Sequence, residues 1–210
     1  MAKKKELDIN TEAKIKNAAK NVFHKKGFAA TRTRDIAEAA GINLALLNYY
    51  FRSKEKLFHI IIQETMQDFM KSFHGIFNDE KTTLDEKLEL VASHYIDLLV
   101  EQPDIPIFIL SEIRNNPEEL KEKFQSRHLF FESVFAKQFQ KEVEQGKIVN
   151  LSMSQFMMNL MGLLVFPFVA SPLIKATSEL DDTAYQEQML QRKKLFPIWM
   201  KRIMYTKEGN

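Results

Sequence analysis

The residues with the most chemical content sit close together near the start of the chain, in "GINLALLNYYFRSKEKLF", residues 41–58. Tyr49, Tyr50 and Phe51 are consecutive there, and successive helical positions lie about 100° apart, so the three rings cannot share one core. At least one must look outward, beside arginine and lysine. Leu47 and Phe51, four apart, can turn inward together with Ile42, which leaves Leu44, Ala45, Asn48 and Tyr49 on the opposite side. Two apolar and two hydrogen-bonding residues make a poor solvated surface. They make a good major-groove surface, where an apolar side chain meets a thymine methyl and an asparagine pairs with both polar atoms of adenine. Ordinary helix packing is the competing reading of this cluster.

Catalytic groups are harder to find. The five histidines stand apart at 24, 59, 74, 94 and 128. None forms the His-Glu-x-x-His pair that puts two metal ligands on one helical face, and no glycine-rich phosphate loop occurs. No enzyme activity, metal or cofactor is expected. The chain lacks cysteine, which excludes disulfides and thiolate chemistry and suits a cytoplasmic setting. The opening "MAKKKELDIN" leads into polar residues rather than the apolar core of a secretory signal.

Charge is unevenly spread. Residues 1–56 carry 13 Lys or Arg against 6 Asp or Glu, a balance of +7, whereas residues 57–210 carry 17 against 22, a balance of −5. The N-terminal end therefore attracts polyanions, nucleic acid or an acidic membrane surface alike.

The elements that must position these residues have the helical period. Ile15, Ala18, Ala19, Val22 and Phe23 form one stripe, closed by Lys25-Lys26-Gly27. Thr31 can cap a second short helix with Ile36, Ala37 and Ala40 inward, and Gly41 can stop it in a left-handed conformation. Asn43 can cap a third. So short a gap leaves room for a tight turn alone, which is helix-turn-helix spacing.

The stretch "AAKNVFHKKGFAATRTRDIAEAAGINLALLNYYFRSKEKLF" resembles the DNA-binding domain of the tetracycline-repressor (TetR) family of bacterial transcription regulators. The resemblance covers roughly residues 9–69. It rests on Phe23, Gly27, the Thr31-to-Ala37 segment "TRTRDIA", Ala40-Gly41-Ile42, and the ending made by Tyr50, Phe51, Lys54 and Leu57. It implies a third helix that reads bases through Leu44, Ala45, Asn48 and Tyr49, with Thr31, Thr33, Tyr50 and Lys54 on phosphates. Asn43, Ala45 and Asn48 depart from the serine, glycine and tyrosine frequent in the family, so no operator sequence carries over.

The remaining two-thirds reads as helices near 54–77, 84–101, 104–115, 118–145, 152–170 and 184–205, punctuated by Asn78-Asp79, Pro103, Pro117, Gly146 and a Ser171-Pro172 turn. Phenylalanine and methionine are frequent here. Met66, Phe69, Phe73, Phe108, Phe131, Phe135, Met157 and Met161 are the candidate lining of an adaptable apolar pocket, which the resemblance implies, although such a stripe also describes plain core. Residues 148–174 contain 27 positions without a charge, a length that could span a bilayer. Polar interruptions and Pro167 and Pro172 favour a helix buried in a protein interface instead. The resemblance assigns the last two long helices to a four-helix dimer interface, here with Leu160, Leu163, Leu164, Leu195 and Trp199. Pro197 should kink the last of them.

The expectation is an all-α chain: a three-helix helix-turn-helix domain over 9–69, then a helical effector-binding and dimerisation domain over 70–206. It implies a cytoplasmic homodimer, a repressor released from a near-palindromic double-stranded operator by a hydrophobic small molecule, with no membrane partner. The rival is a helical ligand-binding or membrane-associated protein that merely keeps a helix-turn-helix.

Overall fold

The computed structural model describes residues 2–115, 130–148 and 151–205, with side chains from Asn10 onward apart from Asn115. Its elements are helices: α1 (Ala2–Ala30), α2 (Thr33–Ala39), α3 (Leu44–Phe51), α4 (Lys54–Asn78), α5 (Leu84–Glu101), α6 (Ile105–Asn115), α7 (Val134–Glu144), α8 (Met153–Val169), α9 (Ser171–Thr177) and α10 (Asp182–Met204). The all-α fold is as the periodicity implied. Two compact units form, Met1–Phe69 with Phe108–Asn115, and Met70–Ile107 with Asn116–Asn210.

In the first unit the α1 stripe is the core: Ile15, Ala18, Ala19 and Phe23 are buried. Gly27 breaks α1 at φ 70°, a left-handed value that a β-carbon would oppose. Phe23 packs edge-on against Phe58 of α4, and Phe58 meets Phe108 of α6 at 5.5 Å. Beside them the His24 ring lies 4.6 Å from Phe108, with Nε2 3.2 Å from the Thr65 hydroxyl. Burial, and secondarily the Lys20 charge, push the His24 pKa from 6.5 down to about 4.

The second unit is organised around α5 and α10. Thr83 opens α5 with a capping box: its hydroxyl accepts from the Glu86 N–H while the Glu86 carboxylate accepts from the Thr83 N–H. One turn in, Lys87 is fully buried, its ammonium donating to the carbonyls of Asp79 and Thr82 at 2.5 and 2.7 Å. Gln138 of α7 donates to the same Thr82 carbonyl. Phe73, Phe77, Phe130, Phe135, Phe139 and Phe156 form a continuous aromatic core, with ring centroids 4.9–5.9 Å apart.

Two sequence expectations are corrected. The helix foreseen over 118–145 is not continuous: Glu132 and Ser133 form a turn, and Ser133 caps α7 through the Ala136 N–H. Residues 118–129 lie outside the described residues. The Ser171-Pro172 turn is instead the start of the short α9, where proline's missing N–H costs nothing. Pro197 sits inside α10, which continues to Met204.

Pro167 shows how α8 and α10 are matched. Proline cannot donate to the carbonyl four residues back, so Leu163 O is left open, and the Arg192 guanidinium on α10 donates to it at 2.6 Å. One turn on, Tyr185 donates its hydroxyl to the Pro167 carbonyl at 2.7 Å. Arg192 also lies over the Trp199 ring at 4.8 Å.

Two predictions follow from these contacts. Arg192→Ala should cost about 1–2 kcal/mol in urea unfolding, because a half-buried carbonyl loses its donor. In the Pro167→Ala background, which restores a backbone donor, the same change should cost clearly less; strictly additive costs would show that the guanidinium does not serve that carbonyl. The second concerns acid. The folded protein holds His24 neutral down to about pH 4 while the unfolded chain takes up a proton near 6.5. Stability from this group is therefore complete above about pH 6.5 and lost as pH falls towards 4. Allowing for solvent screening of a partly exposed ring, the loss is roughly 1–2 kcal/mol. His24→Gln should flatten melting temperature against pH across that window.

Candidate nucleic-acid interface

The helix-turn-helix is built by backbone bonds that its sequence permits. At the end of α2 the Gly41 N–H reaches Glu38 O at 2.9 Å and the Ile42 N–H reaches Ala37 O at 3.0 Å, with Gly41 at φ 61°. This is a Schellman closure, and it turns the chain at once towards α3. Asn43 then caps α3, its Oδ1 accepting the Leu46 N–H at 2.8 Å. Leu47 and Phe51 are buried, so the orientation of α3 is fixed by one apolar face.

The other face is free. Ala45, Asn48 and Tyr49 are exposed, Tyr49 at 75%, and Leu44 is half-buried at the first turn. Tyr49 and Tyr50 meet edge-to-face at 5.4 Å, which props the outer ring upright. An exposed row of a methyl, a carboxamide and a phenol on a helix end is suited to base edges. These four residues thus share the face on which base contact was proposed.

The proposed phosphate set divides. Thr33 opens α2 and is half-buried, and Tyr50 is half-buried beside Tyr49. Thr31 is a correction: it neither caps α2 nor faces outward. Arg32 is the N-cap, and the Thr31 hydroxyl, 1% exposed, donates inward to Gly27 O at 2.7 Å because the left-handed glycine leaves that carbonyl without a helical partner. The Asp35 carboxylate accepts the Arg32 N–H and the Lys26 ammonium, which hold it below the usual carboxylate range.

Lys54 is also turned to a structural task. Its ammonium donates to Phe28 O and Thr31 O, both at 3.0 Å, and lies 4.1 Å from the centre of the Phe28 ring. Two of its three N–H groups are thus spent on the α1–α2 connection, leaving one for a phosphate. Sequence reasoning missed this clamp, since a lysine at a helix start looks like a surface charge. It also missed Lys14, whose Nζ stands 3.6 Å from where a β-carbon on Gly41 would lie, at the turn before α3.

The candidate pocket and interface residues scatter. Met66, Phe69 and Phe108 fall in the first unit, whereas Phe73, Phe131, Phe135, Met157 and Met161 fall in the second. Phe73 and Phe135 are packed core, while Phe131 is 52% exposed and so does not line an enclosed site. Met161 likewise faces outward. Of the interface set, Leu160 and Leu164 are buried within the chain, Leu163 and Trp199 are half-buried, and Leu195 is exposed. The outward apolar row of α8 is instead Met158, Met161 and Phe166. A helix apolar on every side gives periodicity nothing to distinguish its faces by. Among the described residues no single helix is long and apolar enough to cross a membrane; α8 and α9 pass that test only as a pair bent by 68°.

A helix-turn-helix with an exposed, partly apolar third helix, joined to a larger helical unit, defines a DNA-binding regulator. Residues 15–61 match the family model of bacterial regulatory proteins of the tetR family. It is similar to the protein described as "Probable HTH-type transcriptional regulator YttP" of Bacillus subtilis, 24% identical over 168 residues, 78% of this chain and 79% of that one. It is also similar to the "Fatty acid metabolism regulator protein" of Bacillus subtilis, 30% identical over 109 residues, 52% of this chain and 56% of that one. Among solved structures, the transcriptional regulator FadR from Bacillus subtilis in complex with stearoyl-CoA shares the fold at TM-score 0.66 and 19% identity, covering 92% of this chain and 100% of that one. FadR from Bacillus halodurans does so at TM-score 0.61 and 18% identity, covering 91% and 98%.

The clamp gives a test. Lys54→Ala should lower stability by about 2 kcal/mol, measured by urea unfolding, since two hydrogen bonds and a cation–π contact are lost. An unchanged unfolding curve would return Lys54 to a purely phosphate-facing role.

Proposed function

We propose that this protein is a homodimeric repressor that binds a near-palindromic operator and is released from it by a hydrophobic small molecule. The observation that carries the reading is the α3 surface, in which buried Leu47 and Phe51 present Ala45, Asn48 and Tyr49 outward together. A dimer places two such helices about 34–36 Å apart in successive major grooves, which demands two half-sites related by symmetry. Support for self-association comes from Met158, Met161 and Phe166 on α8 and Leu195 and Ile198 on α10, large apolar side chains left exposed in the single chain. The domain limits that go with this reading are 9–69 for DNA and 70–206 for effector and dimer.

For the effector, a long-chain acyl thioester is the first class to examine. One structural relative was crystallised with stearoyl-CoA, and a Bacillus subtilis relative is named for fatty acid metabolism. The second unit is rich in phenylalanine, and beside Phe73 the Nε2 of His94 is buried without a hydrogen-bond partner, a donor or acceptor that a ligand could satisfy.

The experiment is selection of bound fragments from random duplex DNA with purified full-length protein. A palindromic motif is expected. Stearoyl-CoA should weaken binding to it while raising the melting temperature. With Asn48→Ala the recovered motif should lose discrimination at one base-pair position per half-site, by about 1–3 kcal/mol. Recovery of no motif, or an identical motif from the variant, would defeat the assignment.

A further inference from the structure

Arg52, the residue that ends α3, has a backbone better suited to glycine. Its φ is 59° and ψ −39°, and among the described residues the other left-handed positions are Gly27, Gly41, Gly146 and Glu179. In this region a β-carbon crowds the neighbouring carbonyl, which glycine avoids. The turn itself does not need the arginine side chain. It is closed by main-chain bonds, the Arg52 N–H to Asn48 O at 2.9 Å and the Ser53 N–H to Phe51 O at 2.6 Å.

Nor is the guanidinium occupied. Arg52 is exposed, and among the described residues no ion pair or side-chain hydrogen bond engages it. The nearest acid in sequence, Glu55, is held by its own backbone N–H and by the Ser53 hydroxyl, with Lys54 adding to the field. Asp35 is taken by Arg32 N–H and Lys26. Meanwhile two groups expected to meet the duplex backbone have turned inward: the Thr31 hydroxyl donates to Gly27 O, and Lys54 spends two N–H groups on Phe28 O and Thr31 O.

Arg52 follows Tyr49 and Asn48 by three and four residues and closes the last turn beneath them, its N–H bonded to Asn48 O. A base-reading helix lying in a groove has sugar-phosphate backbone at its margin, and a guanidinium can meet two phosphate oxygens at once. We propose that Arg52 is a phosphate-binding residue of the DNA interface and fixes the C-terminal end of α3 against the duplex backbone. This rests on the DNA-binding reading above. The contact accounts for an arginine where the backbone favours glycine.

The same geometry supplies the test, because Arg52→Gly removes the side chain and the crowding together. Full-length wild type, Arg52→Gly and Arg52→Lys are compared by thermal melting and by fluorescence anisotropy on the selected duplex and on a scrambled duplex, over a series of salt concentrations. Arg52→Gly should melt at or above wild type yet bind both duplexes on the order of tenfold more weakly, with a log–log salt slope shallower by about one. Arg52→Lys should recover the slope and only part of the affinity, since an ammonium lacks the two-pronged geometry. Unchanged affinity and slope in Arg52→Gly would overturn the proposal. So would a fall in affinity matched by a fall in melting temperature, or one confined to the selected duplex. Wild type that bound neither duplex would instead defeat the DNA-binding reading itself.

Discussion

The presentation of α3 depends on an ammonium group turned into the protein. Lys54 stands at the first residue of α4, and its bonds to Phe28 O and Thr31 O draw the loop after α1 onto the start of that helix. Both carbonyls lie just beyond left-handed Gly27, where Phe28 O otherwise has a long 3.3 Å bond from the Thr31 N–H. Without Lys54 they would be under-satisfied in a partly apolar setting beside Phe28, at a cost approaching that of a lost hydrogen bond. The clamp therefore does two jobs. It satisfies the loop and fixes the spacing between α1 and α4, the two helices whose Phe23 and Phe58 make the unit's core. The α2–α3 pair inherits its orientation from that frame through Ile36, Leu47 and Phe51.

A similar logic of displaced donors holds the second unit. Where α8 contains Pro167, a donor is missing, and α10 supplies Arg192; where the loop before α5 leaves the carbonyls of Asp79 and Thr82 open, Lys87 supplies them from inside. Burying an ammonium is expensive, and burial pulls the Lys87 pKa down. Carbonyl partners and the nearby Asp79 and Glu86 charges offset part of that cost. The result is a loop pinned from its buried side, and α7 joins it through Gln138.

How much of this the sequence disclosed follows from which forces leave a periodic trace. The stops at Gly27 and Gly41, the Asn43 cap and the inward pair Leu47 and Phe51 are local rules, and each was legible. Thr31, Lys54 and Lys87 were not, because a polar residue on a helix end or an apolar face reads as solvated until the carbonyl it serves is known, and those carbonyls belong to loops several residues distant. The Ser133 turn was hidden for a related reason: capping serine inside a continuous helical pattern carries no breaker beside it. For α8 the difficulty was different. From Leu160 to Val169 it has no polar side chain, so Leu160 and Phe166 could not be told apart as inward and outward.

The two units share helices rather than a flexible linker. α4 begins in the first and ends in the second, since Phe69 and Met70 are adjacent residues of one uninterrupted helix, and α6 passes back between Ile107 and Phe108. The proposed effector can release DNA only as far as it prefers the DNA-incompetent state: each 1.4 kcal/mol of preference corresponds to about tenfold in operator affinity. Because linkage is reciprocal, operator DNA must weaken the effector by the same factor.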